Sequence, residues 1–66
     1  MTQDAKRMAR RAARVGNRHP GIAARFYRRA STLFSQAQDH AAARECSEAA
    51  DTHDQVARYR DRRHTR

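Results

Sequence analysis

Arginine is the residue type in this chain that is best suited to binding a ligand. The chain has 15 basic residues, of which Lys6 is the single lysine, and seven acidic residues. Its net charge is therefore +8. The arginine guanidinium group binds phosphate and carboxylate groups through two parallel hydrogen bonds. A balance this basic predicts attraction to DNA, RNA or an acidic protein surface. The residues predicted to make such contacts are Lys6, Arg7, Arg10, Arg11, Arg14, Arg18, Arg25, Arg28 and Arg29.

The charges are segregated along the chain. Residues 1–38 hold nine basic residues against Asp4 and carry a net +8. Residues 39–57 hold five acidic residues against Arg44, for a net −4, and residues 58–66 hold five arginines against Asp61, for a net +4. Segregation of this kind predicts surfaces of a single sign rather than an evenly cationic protein.

The carboxylates of residues 45–54 have the spacing of a helix surface. Glu45, Glu48, Asp51 and Asp54 follow one another at every third position, which favours a solvated stripe over a catalytic pair, because nothing around them indicates a pocket. The two glycines, Gly16 and Gly21, flank a turn and form no phosphate-binding loop. We therefore expect a protein that is not an enzyme and has no catalytic residues.

His19, His40 and His64 are possible metal ligands, but the candidates that share one face of the predicted third helix are Cys46 and His53. Seven residues separate them, or about 10.5 Å along a helix, which is too far for one metal ion. A lone cysteine forms no internal disulfide and favours a reducing compartment. We expect a small buried thiol, a partly buried imidazole that requires a hydrogen-bond partner, and neither a metal nor a cofactor.

Three helices can present these residues, over about 3–15, 20–37 and 40–60. Thr2 is predicted to cap the first helix, Gly16 to end it in the left-handed conformation, and Asp39 to cap the third. The fold class is all-α, a three-helix unit in which helices two and three form an antiparallel hairpin. Residues 1–60 form a single domain, and residues 61–66 form a basic tail that is expected to fray.

Apolar residues recur with helical spacing in each segment. In the first helix Ala5, Met8, Ala9, Ala12 and Ala13 form a stripe opposite the basic residues. Bulky residues are concentrated in the second helix and small ones in the third, which predicts close packing between the two. The predicted packing residues are Met8, Ile22, Phe26, Tyr27, Leu33, Phe34, Ala43, Cys46, Ala50 and Val56.

Residues 22–57 resemble a tetratricopeptide helical hairpin. Tyr27 matches the aromatic residue that opens the repeat, and Ser31 and Phe34 match the small and aromatic residues four and seven positions later. Ala43 and Ala50 match the small residues of its second helix. The sequence departs from the repeat at Ala30, at Ser47 and in lacking a proline near Gln55. The resemblance implies helix packing of this type and a tendency to bind peptides or proteins.

Two functional hypotheses remain open from the sequence. In the first, the arginine face contacts the phosphates of DNA or RNA, mostly without reading bases, as in a regulatory or accessory factor. In the second, a tetratricopeptide-like hairpin binds an acidic protein or peptide as an adaptor or inhibitor. Self-association into a homodimer is compatible with either. No segment has the apolar length of a membrane span or a signal peptide, so we expect a cytoplasmic protein that binds no membrane.

Overall fold

The computed structural model describes residues 2–16 and 18–64, and all regular structure within them is helical. Three helices follow one another: α1 (Thr2–Val15), α2 (Pro20–Gln36) and α3 (His40–His64). The prediction of a small all-α protein with three helices is confirmed.

The first helix separates a buried alanine edge from an exposed basic face. Ala5 and Ala12 are fully buried, whereas the predicted basic residues of α1 are all exposed. Ala13, which was assigned to the buried stripe, is exposed instead. It lies about 100° further round the helix than Ala12 and passes beyond the edge that meets α2. Thr2 begins the helix, but its predicted capping side chain lies outside the described part of the structure.

The α1–α2 connection does not use Gly16 as predicted. Neither glycine has a positive φ, so the expected left-handed cap at Gly16 is wrong. Gly16 is buried, and a Cβ atom there would lie 2.8 Å from Nε2 of His53 in α3. Glycine is therefore required by a close approach between helices and not by backbone conformation. After the turn, Pro20 occupies the first turn of α2, where its missing N–H group costs nothing.

The α2–α3 connection is a Schellman motif with glutamine in the place usually taken by glycine. The amides of Gln38 and Asp39 donate to the carbonyl oxygens of Ser35 and Phe34, at 2.9 and 2.8 Å. Gln38 has a φ of 63°, the left-handed conformation that this motif requires. The Asp39 carboxylate then accepts a hydrogen bond from the Ala42 amide at 3.2 Å. Its predicted role as the N-cap of α3 is confirmed.

Helix α2 lies between the other two and packs against both. Contacts of its first half with the end of α3, and of its second half with the start of α3, make the pair antiparallel. The buried cluster joins all three helices and consists of Ala5, Ala30, Phe34, Ala43 and Cys46. Phe34, 6% exposed, is its one large side chain, so the core depends on a single bulky residue among small ones.

The predicted packing residues differ in burial. Ala50 is buried like the cluster members, and Met8, Tyr27 and Leu33 pack against that cluster while remaining partly exposed. Phe26 is also partly exposed. Two predicted packing residues are surface residues instead, Ile22 at 46% and Val56 at 41% exposure. Each lies at the edge of its apolar stripe, where no neighbouring helix covers it fully.

The α2–α3 contact brings small groups close together. The Ser31 hydroxyl donates to the backbone carbonyl of Ala43 at 2.8 Å, so the helix backbones approach within reach of a short side chain. Both positions are among those that carry the sequence resemblance described above.

The third helix continues to His64, four residues beyond its predicted end. Arginine is a good helix former, and basic residues near a helix C-terminus interact favourably with the helix dipole. Residues 61–64, assigned to the tail, are therefore helical, and residues 65–66 lie outside the described part of the chain.

Candidate functional site

A groove between α1 and α2 gathers arginine side chains from both helices. Its volume is about 540 Å³. Helix α1 contributes four arginines and α2 contributes Arg29, while Met8 and Leu33 supply apolar surface and Asp4 a single carboxylate. We call this feature the arginine groove; its basic residues are Arg7, Arg10, Arg11, Arg14 and Arg29.

The spacing of the α1 arginines places them along one side of the helix. Positions 7, 10, 11 and 14 fall within an arc of about 100°, at 100° per residue. Ala5 and Ala12 lie on the other side and are fully buried. Burial of the alanine edge therefore fixes the rotation of α1 and leaves its arginines on the exposed side, where they line the groove together with Arg29.

Helix α2 completes the groove through Arg29 and Leu33. These residues are four positions apart, so they lie one above the other on the same side of the helix. Leu33 is partly buried against the core cluster, which anchors this part of α2 beside Met8. The apolar surface of the groove is thus continuous with the core, and its charged groups stand around that surface.

Arg11 is held by an aromatic ring. Its guanidinium carbon lies 6.0 Å from the centroid of the Phe26 ring, over the face of the ring. This distance is at the outer limit of a favourable cation–π contact, which contributes about 0.5–1 kcal/mol at exposed sites. The contact orients one cation of the groove without neutralising its charge.

No arginine of the groove takes part in an ion pair with any residue that the structure describes. All five are exposed. Asp4 is the one carboxylate that lines the groove, against five guanidinium groups. Like charges held together in this way raise the local concentration of anions. The groove is therefore an open cationic site.

Arg28, the neighbour of Arg29, has a different environment. It donates hydrogen bonds to the carboxylates of Asp54 and, at 3.5 Å, of Asp51, both on α3. The hydrogen bond to Asp54 is the main cause that raises the pKa of Arg28 above its ordinary value. Arg28 was predicted to contact a ligand; in the structure it bridges α2 to the acidic stretch of α3.

The other predicted contact residues lie outside the groove. Lys6 is exposed on α1, and Arg25 is exposed on α2. Arg18 lies in the α1–α2 connection and lines a separate depression with His19, Ile22 and Arg60. Of the nine predicted residues, the groove therefore brings together the five defined above.

His53 occupies the junction of the three helices. Its Nδ1 atom lies 2.8 Å from the carbonyl oxygen of Ala49, and its ring centroid lies 5.3 Å from that of Tyr27. Its Nε2 atom faces Gly16 at the end of α1. The imidazole has the hydrogen-bond partner that its partial burial requires, and its contacts are structural ones.

Cys46 is buried in the core cluster. Burial, and secondarily the charge of Glu45, raises the pKa of its thiol, so the nucleophilic thiolate is disfavoured. Within the described ranges no three histidine, cysteine or acidic side chains are grouped so as to hold a metal ion.

Asp4, Met8 and Leu33 belong to the groove although sequence reasoning did not place them in a site. Met8 and Leu33 were predicted to be packing residues, and Asp4 was considered only as the one acidic residue of residues 1–38. The periodicity of one helix shows which residues share its face, but a groove depends on which faces of two helices meet. The one indication in the sequence was the spacing of Arg29 and Leu33, which are four residues apart and therefore lie on the same side of α2.

Comparisons with known proteins identify no relative. No protein-family model, no curated protein and no solved structure matches the chain significantly. In the described part of the chain, no helix combines the length and apolarity needed to span a membrane.

Proposed function

We propose that this protein is a non-enzymatic binding protein that contacts nucleic-acid phosphates through the arginine groove, as a regulatory or accessory factor. The observation that carries the proposal is the convergence of five arginines from two helices on one groove, none in an ion pair with a described residue. Guanidinium groups that form no ion pair within the described part of the protein are available to phosphate oxygens.

The span of the α1 arginines along the helix suits contacts to several phosphates. From Arg7 to Arg14 the helix rises about 10.5 Å, which corresponds to about three nucleotides at roughly 3.4 Å per step. No asparagine or glutamine among the described residues lines the groove, so we expect its arginines to contact mainly the phosphate backbone. Such contacts position a ligand without reading its sequence.

Salt dependence of binding tests the proposal. Fluorescence anisotropy with random-sequence duplex DNA, duplex RNA and single strands should show affinity that falls steeply between about 50 and 200 mM salt. In the variant R10Q/R14Q the slope of log K against log salt should decrease by about two. No binding of any probe at about 50 mM salt would contradict the proposal.

The variant R44Q/R58Q is the matched control. It removes the same charge from exposed positions on α3 and leaves the groove intact. If net charge alone governed binding, the two variants would lose affinity equally. The proposal requires the groove variant to lose clearly more.

A second candidate is an acidic, amphipathic peptide segment of a protein partner. The apolar surface of Met8 and Leu33 inside a ring of cations favours a ligand with both apolar and acidic groups. The tetratricopeptide-like hairpin predicted for α2 and α3 is consistent with this alternative. The variant M8Q separates the two, since it should weaken peptide binding at least about tenfold and leave phosphate binding nearly unchanged.

A further inference from the structure

A second cationic depression lies at the end of the molecule where α1 leads into α2. Its volume is about 400 Å³. Arg18 comes from the α1–α2 connection and Arg60 from α3, while Ile22 and Ala57 supply apolar surface. It therefore brings a basic residue from the end of the chain beside one from residues 1–38. We call this feature the end depression; its other lining residues are His19, Pro20, Gly21 and Asp61.

The two arginines of the end depression are open to a ligand. Both are exposed, and neither forms an ion pair with any residue that the structure describes. Asp61 is the one carboxylate among the described residues that line the depression. Ile22, which is 46% exposed, lies beside them. On a smaller scale, the end depression thus repeats the combination of open cations and apolar surface found in the arginine groove.

The arginine row of α1 continues into the end depression. The His19 amide donates to the carbonyl oxygen of Val15 at 2.8 Å, which is the four-residue spacing of one further helical turn. At 100° per residue, Arg18 falls within the arc of the α1 arginines of the groove. It therefore follows Arg14 by about 6 Å on the same side, and the row from Arg7 to Arg18 spans about 16.5 Å.

The apolar surface of α2 follows the same course. Leu33 lies in the arginine groove and Ile22 in the end depression. Phe26, which is partly exposed, lies between them, and all three fall within an arc of about 40°. Eleven residues separate Ile22 from Leu33, as they separate Arg7 from Arg18, so the two rows have the same length. The arginine groove and the end depression are therefore the two ends of one surface.

We propose that a single nucleic-acid strand runs from the arginine groove to the end depression, where Arg18 and Arg60 bind a further phosphate. This inference rests on the proposed function and adds to it the course of the strand and a contact from α3. A span of about 16.5 Å corresponds to about five nucleotides at roughly 3.4 Å per step, against about three for the groove alone. Two guanidinium groups from different elements can hold one phosphate through charge-assisted hydrogen bonds.

Binding of strands of two lengths tests this course. The probes are random-sequence single strands of about 4 and about 12 nucleotides, measured by fluorescence anisotropy at about 50 mM salt. For the longer strand, R18Q/R60Q should lower affinity about tenfold. The slope of log K against log salt should decrease by about 1.4, because two contacts of about 0.7 each are lost. The shorter strand, which the groove alone can hold, should bind within about threefold of its native affinity.

The variant R44Q/R58Q is again the matched control. It removes the same charge from exposed positions on α3, and Arg58 lies two residues from Arg60 but does not line the end depression. It should leave the affinity for either strand within about threefold, because screening limits the effect of a distant charge. Circular dichroism shows whether each variant remains folded.

The outcomes separate this inference from the proposed function. If R18Q/R60Q loses no more affinity for the longer strand than the control does, the course of the strand is wrong. Equal losses on the two strands would contradict it as well, since the effect would then not depend on length. In both cases a loss of affinity in R10Q/R14Q would still support the proposed function. No binding of either strand would contradict the proposed function and this inference together.

Discussion

The two sides of α2 carry neighbouring arginines in opposite environments. Toward α1, Arg29 joins four arginines around a groove that holds a single carboxylate. Toward α3, Arg28 donates to the carboxylates of Asp51 and Asp54. One residue step turns a helical side chain by about 100°, and that rotation separates a cation open to ligands from one that holds two helices together.

Residue type alone therefore does not assign a role to arginine in this protein. The neighbouring helix decides it: α1 supplies further cations, whereas α3 supplies acids. Small residues on α3 allow close packing there, and the apolar surface of the groove is more open. We therefore expect substitutions at the α2–α3 side to change stability, and those at the α1–α2 side to change binding.

The largest effect is expected from removal of Phe34, the bulky residue of the buried cluster. Replacing a buried phenylalanine by alanine costs about 3–5 kcal/mol, comparable to the whole stability of so small a domain. F34A should therefore lack a cooperative thermal transition by circular dichroism. The partly exposed Leu33 is the control: L33A should cost about 1–2 kcal/mol and still unfold cooperatively. Equal losses would show that the core does not depend on Phe34 more than on Leu33.

Gly16 provides the next largest effect. Its substitution by alanine should destabilise the protein by about 1–3 kcal/mol, because the new Cβ overpacks the site at 2.8 Å from His53 Nε2. The Tyr27 ring and the Ala49 carbonyl hold the imidazole in place. In urea denaturation, G16A should cost clearly less in a H53A background than in the native one. Additive losses would contradict this contact.

Substitution of Gln38 by glycine should have a smaller effect on stability, and of opposite sign. A non-glycine residue at a φ of 63° is strained, whereas glycine adopts that conformation freely. Q38G should stabilise the protein by about 0.5–1 kcal/mol, measured by urea denaturation. Q55G, at an exposed position in the interior of helix α3, should instead destabilise it by about 1 kcal/mol. An unstable Q38G variant would contradict the left-handed turn.

The smallest effect concerns Arg28 itself. R28Q should lower the melting temperature slightly at low salt, and the difference should shrink at high salt because the pairs with Asp51 and Asp54 are exposed to screening. R29Q should leave the melting temperature unchanged and weaken nucleic-acid binding. The reverse pattern would exchange the roles assigned to the two arginines.

The sequence predicted the local features well. Periodic alanines and arginines indicated three helices, and Asp39 was identified as a cap, because these depend on residues close in the chain. The left-handed Gln38, the contact of Gly16 with His53 and the pairing of Arg28 depend on how helices meet. Helical periodicity does not specify which faces of two helices meet. It therefore could not distinguish the role of Arg28 from that of Arg29 or exclude Ile22 and Val56 from the core.

We propose that nucleic acid contacts the arginine groove and not the α2–α3 side of the protein. Titration of the protein with a short random-sequence duplex, followed by NMR of the arginine Nε–Hε groups, distinguishes these two sites directly. We predict large shifts for the groove arginines, Arg29 among them, and little change for Arg28 and Arg44. Uniform shifts over all arginines, or shifts larger at Arg28 than at Arg29, would contradict the claim.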